Sequence, residues 1–106
     1  MMPSPTDVTP RPLASCSSLQ RDILITISGT GGLSGKELLT ELREQYSEDR
    51  VEIPKSTLYH HLGKLEEMGL VVKTETSRRT NEYGLSDLAR ERLLAYRGWV
   101  VDGIRA

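Results

Sequence analysis

The sequence predicts a mainly α fold with a small β-hairpin, an α+β arrangement in which a long C-terminal helix follows the hairpin. Three observations predict it. Apolar residues recur at helical spacing in three successive stretches, around Leu19, Ile23 and Ile27, then Leu38, Leu42 and Tyr46, then Leu58, Leu62 and Leu65. The pattern then turns β-branched and alternating over residues 70–76, with a second short run at 81–85 able to return beside it. From Ser86 onward, helical spacing resumes and is sustained over about 18 residues.

The first sixteen residues are read as a disordered arm. Four of the five prolines stand at positions 3, 5, 10 and 12, separated by Ser4, Thr6, Asp7 and Thr9, and Arg11 is the one cation. Ser17 or Ser18 then caps the first helix, whose stripe Leu24 widens. Gly29, Gly31 and Gly32 end it. Ser34 caps the second helix, with Glu37 three residues on as the partner of a capping box, and Leu39 adds to its apolar side. After the polar loop 47–52, Ile53 enters the core and a third helix runs over residues 54–68. Pro54 sits at its start, where a missing N–H is harmless, and Gly69 lies past its end.

The hairpin follows, with Tyr83 and Leu85 on one face of the return strand and a polar turn at 77–80 that carries Arg78 and Arg79. Ser86 caps the last helix, where Leu88, Ala89, Leu93, Tyr96, Trp99, Val100 and Ile104 make a broad apolar surface. A helix of 18 residues extends roughly 27 Å, more than a three-helix core needs for cover. Leu93, Tyr96, Trp99 and Val100 are therefore expected in a homodimer interface.

A chain of 106 residues suits one domain with a terminal extension. The boundaries expected are 1–16 for the arm, 17–85 for the helices and hairpin, and 86–106 for the dimerisation helix. The net charge of -1 does not announce an acidic partner, but the charge is unevenly distributed. Residues 36–52 hold three cations and six anions, whereas residues 55–79 hold five cations and three anions. The positive end thus lies at the third helix and the hairpin.

The third helix carries the candidate chemistry. At 100° per residue, the face opposite Leu58, Leu62 and Leu65 holds Ser56, His60, Gly63 and Lys64, with Thr57 and Tyr59 on its flanks. Short hydroxyls, planar donors and a cation, free of large aliphatic groups, suit base edges and phosphates in a major groove. Lys55, Ser56, Thr57, Tyr59, His60 and Lys64 are the candidate contacts to double-stranded DNA. Ser56 and Thr57 stand near the helix N-terminus, where backbone N–H groups favour a phosphate. Arg78 and Arg79 at the hairpin tip are expected in a minor groove or on flanking backbone.

The order of helices, hairpin and long helix is that of a winged helix-turn-helix with a C-terminal dimerisation helix. The run Ser56-Thr57-Leu58-Tyr59 with Leu62, Leu65-Glu66-Glu67 and Gly69-Leu70-Val71 resembles the recognition helix and first wing strand of PadR-like transcriptional regulators. Leu19-Gln20-Arg21-Asp22-Ile23-Leu24 is similar to that family's first helix, and Arg78-Arg79 with Tyr83-Gly84-Leu85-Ser86 to its wing tip and return strand. The resemblance covers residues 18–100. It implies a dimeric repressor whose third helices enter successive major grooves, as in the small members of the family. His60 departs from the proline or arginine usual after that tyrosine, which leaves base preference open.

Other classes find little support. His60 and His61 point about 100° apart on a helix and cannot share a metal as an i, i+4 pair does, so neither a metal nor a cofactor is expected. His61 lies at the edge of the leucine stripe and reads as a packed histidine. Cys16, the one cysteine, allows no internal disulfide and reads as incidental. With no 18-residue apolar run and no leader pattern, a cytoplasmic protein without a membrane partner is expected. No catalytic constellation is present: the glycines at 29, 31 and 32 follow a helix, not a strand. The competing function is a winged-helix protein-interaction module, for which the acidic second helix argues. A small-molecule effector cannot be named from the residues.

Overall fold

The computed structural model describes residues 11–76 and 80–104. In chain order the elements are α1 (Ser18–Ser28), β1 (Leu33–Ser34), α2 (Gly35–Gln45), α3 (Lys55–Glu67), β2 (Val71–Glu75), β3 (Asn81–Leu85) and α4 (Asp87–Ile104). The architecture is α+β: four helices and a small antiparallel sheet ordered β1-β3-β2. The three stretches at helical spacing are helices, and the two β-branched runs pair with Val71 opposite Leu85 and Glu75 opposite Asn81.

The caps act as their sequences suggest. Ser17 accepts from the backbone of Gln20 while the Gln20 side chain accepts from the backbone of Ser17, and Ser34 and Glu37 repeat this at α2. At the end of α3, Gly69 takes φ +75°, its N–H reaches the Glu66 carbonyl, and the Leu70 N–H reaches that of Leu65. That pair of bonds satisfies two end carbonyls and turns the chain sharply into β2. Ser86 then ties the two ends of the wing region together. Its hydroxyl donates to the Gly69 carbonyl at 2.7 Å and accepts from the Ala89 N–H at 3.0 Å, which caps α4.

The core gathers Ile23, Leu24 and Ile27 from α1, Leu38 and Leu42 from α2, and Leu58, Leu62 and Leu65 from α3, all essentially without solvent contact. Tyr83 and Leu85 close it from the sheet, on one face as expected, and Ile53, Leu70, Val71 and Ala89 fill the corners. Burying a side chain of this size contributes about 1.5–3 kcal/mol. On β2 only Val71 is buried, so that strand is an exposed edge beyond its first residue.

Two findings depart from the sequence reading. The strand β1 was not expected; two residues pair with Tyr83 and Glu82 because the chain enters α2 beside the return strand. Residues 11–16, expected within the disordered arm, form a turn in which Leu13 and Cys16 are each only 4% exposed. Leu13 adopts φ 57°, a conformation a leucine holds only where packing compensates for it. Arg21 secures the turn by donating to the Cys16 carbonyl at 2.6 Å. Among the described residues no helix is long and apolar enough to cross a membrane.

Candidate nucleic-acid interface

The outer face of α3 is built by its inner one. With Leu58, Leu62 and Leu65 driven into the core, helical geometry turns Ser56, His60, Gly63 and Lys64 to solvent. Lys55 and Ser56 are exposed at the helix start and Thr57 is half-buried. Pro54 offers no side-chain cap; its carbonyl accepts from the N–H groups of Thr57 and Leu58. The Lys55 ammonium lies 5.9 Å from the centre of the Tyr59 ring. Lys64 pairs with Glu67 at 3.7 Å across exposed surface, a contact weak enough to exchange for another anion.

Tyr59 is held more firmly than a surface contact would be. Tyr59 is 39% exposed, and its hydroxyl end lies so close to Gly35 that a side chain there would fit only if the ring moved. The Tyr59 ring of α3 thus packs on the first residue of α2, a glycine. Tyr59 also lines a cleft of about 340 Å³ with Lys36, Thr80 and Asn81, where the start of α2 meets the start of β3. Lys36, counted in the sequence only among the charges of residues 36–52, stands on the first turn of α2, where the Ser34–Glu37 capping box places it. The first turn of a helix and a lysine both favour negative charge. Glu37 is engaged at the same end, and its hydrogen bonds to Ser34 hold its carboxyl below the usual glutamate value.

The two histidines part company. His60 is exposed at the centre of the outer face, and His61 is half-buried, with ring centres 5.4 Å apart in an edge-on arrangement. His61 Nδ1 is 3.0 Å from the side-chain nitrogen of Gln20, a contact that joins α3 to α1. Burial, and then the charge of His60, push the His61 imidazole below its ordinary value. The packed reading of His61 thus agrees with its surroundings. Among the described residues no group of histidine, cysteine and carboxylate side chains could hold a metal ion. Burial pushes the Cys16 thiol up, with Arg21 opposing, so the group is a packing residue held in its less reactive form. Arg78 and Arg79 lie outside the described residues.

Along α4, Leu93 and Tyr96 pack against the core of their own domain. Trp99 stacks on Tyr96 at 5.9 Å with the Arg11 guanidinium 4.8 Å above it, yet remains 41% exposed. The outward strip carries Leu94, Val101 and Ile104, which are 68%, 49% and 77% exposed. A groove of about 510 Å³ runs beside it between α1 and α4, with Ile25 and Leu94 on its two sides.

This geometry can be compared with known proteins. The model of a family described as "Bacterial regulatory protein, arsR family" matches residues 48–73, the span of α3 with its approach and the first part of β2. No curated protein sequence matches the chain. Among solved structures, RosR from H. salinarum, grown from NaBr, aligns with a TM-score of 0.78 at 27% identity, covering 86% of this chain and 79% of that one. The complex structure of hsRosR-SG aligns at 0.79 and 27%, covering 87% and 79%. The transcriptional repressor CouR, bound to a 23-mer DNA duplex, aligns at 0.69 and 24%, covering 84% of this chain and 59% of that one. The chain has the winged helix-turn-helix fold and is similar over most of its length to RosR.

Proposed function

We propose that this protein is a DNA-binding transcriptional regulator that acts as a dimeric repressor, reading a major groove with α3 and flanking groove or backbone with the wing. The observation that carries the reading is the division of α3 into a leucine face sealed in the core and an opposite face of Ser56, His60, Gly63 and Lys64 left open. DNA-binding transcriptional regulation is supported by the arsR-family match on that helix and by the similarity to winged-helix regulators. The PadR-like subtype rests on the motif from Ser56 to Val71 and on the wing residues.

In this reading Lys55, Ser56, Thr57, Tyr59, His60 and Lys64 meet DNA from α3, Arg78 and Arg79 meet it from the wing, and Lys36 adds a phosphate contact from α2. The partner subunit packs along the C-terminal part of α4, where Trp99 and Val100 join Leu94, Val101 and Ile104. Leu93 and Tyr96 support that surface from beneath. Occupying a promoter by two such heads, about one DNA turn or roughly 34 Å apart, excludes other proteins from it.

A salt titration of binding to duplex fragments from the regulator's own genome tests the reading. Affinity should fall steeply with salt, and replacing both Arg78 and Arg79 with alanine should flatten the slope by about two units. Absence of binding to every fragment at low salt would favour a protein-interaction module instead.

A further inference from the structure

The contact between Gln20 and His61 is the least expected polar feature of the molecule, because it sits directly behind the reading face. Gln20 is the one buried polar residue among those described. Its amide has two fixed duties. The side-chain oxygen accepts the Ser17 N–H at 2.9 Å, closing the capping box of α1. A backbone N–H can only donate, so the amide cannot turn over without losing that bond. The amide NH₂ must therefore face His61, 3.0 Å away. His61 Nδ1 accepts, and its ring proton resides on Nε2. A protonated His61 would carry N–H on both nitrogens and set a donor against the Gln20 donor.

We propose that Gln20 and His61 are positioning residues for DNA reading, forming a proton-sensitive clasp that seats α3 against α1 and so sets the placement of His60. The proposal rests on the DNA-binding reading above. The clasp closes with neutral His61 and opens when His61 takes up a proton. Among the described residues, no carboxylate acts on the His61 ring to hold a proton there. From α1, His61 meets the uncharged Gln20, while the flanking Arg21 is engaged with the Cys16 carbonyl and Tyr96, and Asp22 with the Tyr46 hydroxyl. On α3 the neighbouring imidazole of His60 opposes protonation of His61, and Lys64 one turn on is paired with Glu67. Burial acts in the same direction. The expected consequence runs against the ordinary trend, in which acid strengthens histidine contacts to phosphates.

The test is Gln20→Glu. Glutamate serves a capping box as well as glutamine does, so α1 keeps its cap. Its second carboxylate oxygen, however, accepts where the amide donated, and so favours His61 with a proton on Nδ1. Histidine ring nitrogen shifts measured by NMR through a pH titration should show the Nε2–H form in the parent. In the variant, His61 should titrate at a clearly higher pH. Duplex binding across pH 5 to 8 should then differ: the parent loses affinity on acidification by roughly fivefold, the worth of one net hydrogen bond, relative to the variant. Equal His61 titration in both proteins would overturn the clasp. A shifted titration with identical binding profiles would overturn its role in reading. If neither protein binds any duplex at pH 8 and low salt, the DNA-binding reading itself has failed, a result separate from both.

Discussion

Replacing Gly35 with alanine perturbs the contact between the start of α2 and the Tyr59 ring of α3 by a single methyl group. A Cβ at position 35 would stand 2.2 Å from the Tyr59 hydroxyl oxygen and 2.7 Å from the ring carbon that bears it. Ordinary contact begins at 3.4 Å, so the hydroxyl must retreat by about 1.2 Å. Parting the helices would disturb Leu38 and Leu58 behind them, and overpacking of that kind costs about 1–3 kcal/mol. The half-exposed ring can instead swing outward, at an off-rotamer cost of about 0.5–1.5 kcal/mol plus lost packing. Alanine recovers at most about 1 kcal/mol of helix propensity, less at the first helical position. A net loss near 1 kcal/mol is expected, with weaker DNA binding because Tyr59 has moved. Urea unfolding of Gly35→Ala, Tyr59→Ala and the double variant checks this. Without the ring the three atoms nearest the added methyl are gone, so the double variant should be more stable than the sum of the singles by about 1 kcal/mol. Additive losses, or a Gly35→Ala protein with undiminished stability and DNA affinity, would refute the reasoning.

Three further perturbations follow from the same packing. Leu62→Ala, at a site with essentially no solvent contact, should cost roughly 2–5 kcal/mol in denaturant unfolding; a loss below about 1 kcal/mol would mean that α3 is seated otherwise. Tyr46→Phe removes the hydroxyl that donates to the Asp22 carboxylate between α2 and α1, with an expected cost of about 1–2 kcal/mol. Burial first, then the Asp22 hydrogen bond and charge, push the Tyr46 phenol up to about 12. Because that lies above its unfolded value near 10, the contribution is complete below pH 10 and is lost as pH rises through 12. The gap between parent and Phe variant should therefore close over that window, and a gap independent of pH would contradict the assignment. Finally, Trp99→Glu combined with Leu94→Glu should sediment as a monomer; an unchanged dimer mass would place the interface elsewhere.

The exposed face of α3 is legible in the sequence because the signal is local. Leu58, Leu62 and Leu65 specify an inner face, and a helix then has no freedom over what occupies the outer one. The caps at Ser17, Ser34 and Ser86 and the stop at Gly69 are equally local, since each is a bond between residues three to five apart or a backbone angle that glycine alone takes cheaply. What was missed depends on residues distant in sequence. β1 exists only because Leu33 meets Tyr83, fifty positions away. The Leu13–Cys16 turn looked like an extension of a proline-rich arm, since nothing nearby in sequence reveals that the core has room for two more apolar groups.

On α4 the sequence predicts a broad apolar surface but not which part of it is left over. Tertiary packing draws Leu93 and Tyr96 inward and leaves Leu94, Val101 and Ile104 outside, because the core is already closed by the time the helix passes it. By itself, then, the chain's periodicity determined the order of helices and hairpin and the face of α3 that is left to solvent. Only the folded structure decided what stands behind that face: Gly35 admitting the ring of Tyr59, and Gln20 holding His61 in one tautomer. The physical reason is range. Amphipathic spacing and capping act within a turn or two of chain, whereas close approach and hydrogen-bond direction exist only once α1, α2 and α3 have met.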